Sequence, residues 1–140
     1  MPHAEAPRAP CIFCDIIEGK APAYKVYEDT KTIAFLDLFP LTRGHLLVVP
    51  KRHVPRLTDL QGEEFGDYLR AVSRVCERIN RLSTDYNIGL NQGAKAGQIV
   101  FHLHFHVIPR YDERNPFGPK PREKLLDEDA RAVVASLSAA

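Results

Sequence analysis

His102-Leu103-His104-Phe105-His106 sets three imidazoles at alternate positions within five residues. In an extended chain successive side chains point to opposite faces, so the three histidines share one surface and Leu103 and Phe105 the other. Val100, Val107 and Ile108 add β-favouring apolar residues on either side, enough to hold one face of a strand against a core. Imidazoles two residues apart are separated by about 6.6 to 7 Å of rise, so their tips can converge on one point.

Before this strand, Gly93–Gly97 reads as a glycine-bounded loop and Tyr86–Leu90 as another short strand. Between Gln61 and Leu82, apolar residues recur at Phe65, Tyr68, Leu69, Val72, Val75, Cys76, Ile79 and Leu82, the spacing of a helix with one buried face. His45–Pro50 is an apolar run of strand length, preceded by a loop over Asp37–Gly44 and followed by the basic Lys51-Arg52-His53. Lys25–Glu28 and Thr32–Leu36 flank a turn-forming stretch and predict a hairpin. Cys11 to Ile17 makes a short turn or helix, stopped by Gly19 and Pro22. Met1–Pro10 reads as a flexible leader that includes His3, and residues 11–140 as one domain. After Pro109 the chain is polar and Pro-rich through Pro121, and a last helical pattern follows at Leu125, Leu126, Ala130, Val133, Val134 and Leu137. The sum is an α+β domain on a mainly antiparallel sheet of about five strands, with one long helix and a C-terminal helix. A sheet this small has open edges, and pairing one across a two-fold axis predicts a homodimer.

Composition narrows the function classes. The chain has 140 residues, 44% hydrophobic and 26% charged, with 19 Lys and Arg against 18 Asp and Glu. That balance gives no bulk affinity for nucleic acid or membranes. No run approaches a membrane span, and the N-terminus lacks the apolar stretch of a signal peptide, so the cytoplasm is the expected location. Three cysteines, two of them in the Cys11-x-x-Cys14 pair, argue against a disulfide framework and leave a metal or redox role open. Cys76 falls on the helix's apolar stripe and is expected in the core. For the histidines, metal binding and nucleophilic catalysis both fit. Incidental packing fits poorly when half of the six histidines in the chain share one face.

The run His102-Leu-His104-Phe-His106-Val107-Ile108 resembles the signature of the histidine triad family of nucleotide hydrolases and transferases. Cys11-Ile-Phe-Cys-Asp-Ile-Ile-Glu-Gly19, Ala34-Phe-Leu-Asp37, Gly44-His-Leu-Leu-Val-Val-Pro-Lys-Arg-His53, Asn91-Gln-Gly93 and Gly97-Gln98 resemble further family blocks in the same order, over about residues 11 to 110. The branch most similar is the small, bacterial-type, Hint-like one. The resemblance implies cleavage of nucleoside phosphoramidates or dinucleoside polyphosphates, releasing a nucleoside monophosphate such as AMP. It makes His104 the nucleophile that forms a nucleotidyl-histidine, His106 a contact to the phosphate, and His45 a hydrogen-bonding support for the triad. His106 favours a hydrolase, because the uridylyltransferase branch has Gln at that position. Asp37 matches the carboxylate that accepts the ribose hydroxyls, with Leu38 against the base. Asn91 and Gln98 match amides that bond the phosphate or leaving group, and Gly97 admits backbone N–H groups close to an anion. Ile99 departs from the family, which commonly has Ser or Thr there, and so removes a hydroxyl from the leaving-group side. In bacterial-type relatives Cys-x-x-Cys joins two histidines in a structural zinc site, which here implies Cys11, Cys14, His53 and His102. Two other outcomes stand beside the hydrolase: a nucleotide-binding regulatory protein with little or no turnover, suggested by Ile99, and a zinc-stabilised partner-binding module in which the triad is incidental.

Overall fold

Thr32–Leu36 (β2) and Leu46–Pro50 (β3) are buried along their whole length and form the centre of the sheet. The computed structural model describes residues 10–119 and 121–138, so the expected leader falls outside the described residues except for Pro10. Lys25–Glu28 (β1) pairs with β2 as a hairpin, and Phe105–Pro109 (β5) lies between β3 and Tyr86–Gly89 (β4). The order is β1-β2-β3-β5-β4, and every pair is antiparallel. The hairpin turn is set by Asp29, whose Oδ1 accepts hydrogen bonds from the backbone N–H of Lys31 and Thr32, both at 2.8 Å.

Period-two patterning sorts the sheet into two faces. Ala34, Leu36, Leu46, Val48, Leu103, Phe105 and Val107 pack in one cluster, under the helices Glu63–Ile79 (α2) and Asp127–Ser138 (α3). The α2 contribution is Tyr68, Ala71, Val72, Val75, Cys76 and Ile79, the i, i+3, i+4 stripe expected from the sequence, Cys76 included. Phe65 and Leu69, read as part of that stripe, stand 38% exposed at its margin. Tyr68 locks the helix to two strands: its hydroxyl donates to the Val48 carbonyl at 2.7 Å and accepts from the Phe105 N–H at 3.3 Å. Ile33, Phe35, Leu47 and Val49 face the other way, where Ile12–Ile17 (α1) covers them with Phe13, Cys14 and Ile16.

One element differs from the sequence expectation. The histidine strand begins at Phe105, so only His106 lies within it, while His102 and His104 occupy the irregular approach. Pairing with β3 ends at Val48↔Phe105. Pro50 has no N–H to continue the ladder, and its carbonyl is taken by the His102 ring at 2.6 Å. Leu103 donates its N–H to the Val54 carbonyl at 2.7 Å instead. The alternation survives even so: Leu103 is fully buried under α2, and His102 and His104 turn toward Phe13. No helix among the described residues is long and apolar enough to cross a membrane.

Candidate active site and metal centre

The triad splits into two sites, and the backbone fixes which nitrogen of each ring carries the proton. A carbonyl only accepts, so the 2.7 Å contact of His104 Nδ1 with the His102 carbonyl places a proton on Nδ1 and leaves the Nε2 lone pair available. Phe13 holds this ring edge-on at a centroid distance of 5.1 Å. His45 is 1% exposed, and its Nδ1 accepts from the Leu41 N–H at 3.0 Å. Its proton therefore sits on Nε2, which donates to His106 Nδ1 at 3.0 Å, and His106 is left with an N–H at Nε2. The rings of His104 and His106 are 5.0 Å apart, so a ring with a bare lone pair stands beside one carrying a donor.

Burial keeps the three imidazoles neutral. Desolvation lowers His104 below the ordinary range. It pushes His45 down to about 3, with His106 adding repulsion, and His106 to about 4, with His104 contributing. Asp37 joins this group at the end of β2. Its Oδ1 accepts from the Phe39 N–H at 2.8 Å, and its Oδ2 lies 3.6 Å from His45 Nε2 and 3.8 Å from an Arg122 nitrogen. Desolvation raises its pKa against the opposing pull of the Phe39 N–H, Arg122 and His104. Asp37, His45 and His106 bring donor atoms within 4.8 Å of one another, the spacing of a metal site. The Leu41 N–H argues against one, since it fixes the proton on the His45 nitrogen that would have to bind the ion.

The other expected contacts lie on two loops. Leu38 and Phe39, 41% and 48% exposed, flank Asp37 with apolar surface. Gly97 adopts a left-handed φ of +93°, and Asn91 packs against it, with Nδ2 only 3.6 Å from where a Cβ would stand. Gln98, expected as an amide facing the phosphate, is instead turned inward. Its Oε1 accepts from the Gly93 N–H at 2.7 Å, and its Nε2 donates to the carbonyls of Pro55 and Val100. It braces the loop. Ile99 beside it is 86% exposed.

His102 turns away from its neighbours. Its Nε2 donates to Pro50, so the Nδ1 lone pair faces Cys11 Sγ at 3.4 Å, Cys14 Sγ at 3.5 Å and His53 Nδ1 at 3.2 Å. Cys14 Sγ is also 3.2 Å from His53 Nδ1. A tetrahedral zinc with ordinary Zn–N and Zn–S bonds puts its ligands about 3.3 Å apart for N–N pairs and about 3.6 Å for N–S pairs. The four donors, all within 4.8 Å of one another, fit that set.

The HIT domain family matches residues 18–113, which spans β1 to β5 and all five histidines of the two sites. The chain belongs to the HIT family. Protein hit of Bacillus subtilis is 45% identical over 135 residues, covering 91% of this chain and 92% of that protein. The adenosine 5′-monophosphoramidase of Schizosaccharomyces pombe is 36% identical over 129 residues, covering 91% and 96%. A crystal structure of a zinc-bound histidine triad family protein from Mycobacterium smegmatis superposes with a TM-score of 0.76 at 37% identity, covering 91% of this chain and 93% of that one. The matched HIT span leaves out Cys11 and Cys14 at one end and Arg122 at the other. Phe13 and Arg122 are site neighbours that sequence reasoning missed. Phe13 lies inside the Cys-x-x-Cys pair, which was a usable signal, whereas Arg122 sits in a stretch without periodicity.

Proposed function

We propose that this protein is a nucleotide hydrolase that cleaves adenylyl compounds at the α-phosphate through a nucleotidyl-histidine on His104 and releases AMP. The observation that carries this is the pair of fixed tautomers: an Nε2 lone pair on His104 beside an Nε2–H on His106. His104 Nε2 attacks phosphorus, the bond to the leaving group breaks, and a P–N bond forms. The His106 N–H bonds a non-bridging oxygen as charge builds there. Water then cleaves the P–N bond, which restores the imidazole and completes two displacements in place of one. Asp37 accepts the ribose hydroxyls, Leu38 packs on the base, and Asn91 with the Gly97 backbone lines the phosphate loop that Gln98 braces. The phosphoramidase relatives support this chemistry.

Zinc held by Cys11, Cys14, His53 and His102 would tie α1 to the approach to β5, and a full ligand set leaves it structural. Ile99 offers apolar surface where a hydroxyl would assist the leaving group, so phosphoramidates and dinucleoside polyphosphates stand together as substrates. We place the protein in the cytoplasm as a homodimer, using β4, which has β5 as its neighbour on one side and a half-exposed Ile88.

The test is a kinetic panel of adenosine phosphoramidate and diadenosine polyphosphates, with AMP binding followed by calorimetry. Wild type releases AMP, and His104→Ala abolishes release while still binding AMP. Undiminished turnover in His104→Ala refutes the mechanism. A wild type that binds AMP and leaves every substrate intact is a regulatory nucleotide-binding protein instead.

A further inference from the structure

The chain beyond the matched HIT span returns to the site and clips onto the loop that carries Asp37. The Leu125 N–H donates to the Leu38 carbonyl at 2.7 Å, and Arg122 Nη1 donates to the Phe39 carbonyl at 3.2 Å. These two bonds hold residues 38 and 39 and bring the Arg122 guanidinium to 3.8 Å from Asp37 Oδ2. Asp37 is largely desolvated, its side chain 15% exposed, so an ionised carboxylate there needs compensation. His45 and His106 also face it and are held neutral by burial. The Phe39 N–H, Arg122 and His104 oppose the cost, and of these Arg122 is the one that carries a permanent charge.

We infer that Arg122 is a positioning residue for nucleotide binding: hung from the Phe39 carbonyl, its guanidinium holds the Asp37 carboxylate in place as the acceptor for the ribose hydroxyls. This rests on the ribose role proposed for Asp37. A protonated carboxyl offers one oxygen as a donor and loses part of its acceptor capacity, so it binds a diol less well. Removing Arg122 lets Asp37 take up a proton at higher pH, and nucleotide affinity then fails earlier on acidification. Arg122 also helps hold His45 and His106 unprotonated, so kcat is compared near neutral pH, where burial alone keeps both neutral and the effect of the variant falls on binding and KM.

The experiment measures AMP affinity by calorimetry, and KM and kcat for adenosine phosphoramidate, from about pH 5 to 8. The proteins are wild type, Arg122→Gln, Arg122→Lys, Asp37→Asn and the Asp37→Asn/Arg122→Gln double variant, with Lys124→Gln, in the adjoining cleft, as comparator. Arg122→Gln is expected to weaken AMP binding about two- to five-fold near neutral pH, the range of a partly exposed charge pair, and to move the acidic loss of affinity to higher pH. It leaves kcat near neutral pH unchanged, and Arg122→Lys recovers part of the affinity. In the Asp37→Asn background Arg122→Gln adds nothing. The inference is overturned if Arg122→Gln binds AMP like wild type, if affinity falls with no shift along the pH axis, or if kcat near neutral pH falls with it. Asp37→Asn separates the two levels. If it is harmless, the ribose role of Asp37 fails; if it is damaging while Arg122→Gln is silent, only the role of Arg122 does.

Discussion

His45 should make the fold acid-sensitive by a calculable amount. Burial holds this imidazole down at about 3 in the folded protein, against 6.5 for an ordinary histidine. Between those values the unfolded chain binds a proton that the folded chain refuses, so stability rises with pH across the window. The contribution is complete above 6.5 and drains away as pH falls toward about 3. Each pH unit below 6.5 removes about 1.4 kcal/mol, so at about pH 5 His45 has withdrawn about 2 kcal/mol. The figure is insensitive to the folded value, provided that value lies well below 5. His45→Phe keeps a ring in the site and abolishes the titration. It also leaves the Leu41 N–H and His106 Nδ1 without their partner, which lowers stability and lets His106 take up a proton at higher pH than in wild type. The informative quantity is therefore the slope. Urea unfolding at about pH 7.5 and about pH 5 should show wild type losing at least about 2 kcal/mol more than the variant, whose His106, freed of the His45 donor, resists protonation less. Equal losses in the two proteins would refute the buried, neutral assignment of His45.

Cys14→Ser removes a sulfur that faces both His53 and His102; elemental analysis should find about one zinc per chain in wild type, much less in the variant, and a lower melting temperature by calorimetry. Gly44→Ala forces a side chain onto a φ of +88° with its Cβ 2.5 Å from Leu82 Cδ1, which should cost about 2 to 4 kcal/mol by denaturant titration. The turn it damages presents His45, so AMP release should fall as well. Tyr68→Phe strips the hydroxyl that bridges Val48 and Phe105 and should cost about 1 to 3 kcal/mol by the same titration, with KM for adenosine phosphoramidate little changed because the loss lies on the helix-covered face.

Element types were legible because each has a periodicity of its own. The hairpin of β1 and β2, the helix over the middle of the chain and the short terminal helix all follow from patterns that local sequence carries. The start of β5 was not legible, because it depends on a missing N–H at Pro50 and on a bond from Leu103 to Val54, both remote in sequence. Gln98 shows the same limit: its residue type suits a ligand contact, and only the fold reveals that Gly93, Pro55 and Val100 engage it. The protonation pattern depends on Leu41 and on the His102 carbonyl, backbone groups that no side-chain motif encodes. Arg122 was invisible because a single basic residue in a Pro-rich segment carries no direction.

The two-faced sheet gives residue parity a meaning. Odd positions from His45 to Val49 and even positions from His102 to His106 look toward the site, while Leu46, Val48, Leu103, Phe105 and Val107 look toward α2 and α3. A single inserted or deleted residue within either segment exchanges the two sets, turning imidazoles toward α2 and α3 and leucine and valine toward the site. A scan of one-residue insertions should therefore find both segments intolerant, with tolerance returning in the turns that flank them. Insertions of two residues restore the facing and should be the less damaging kind.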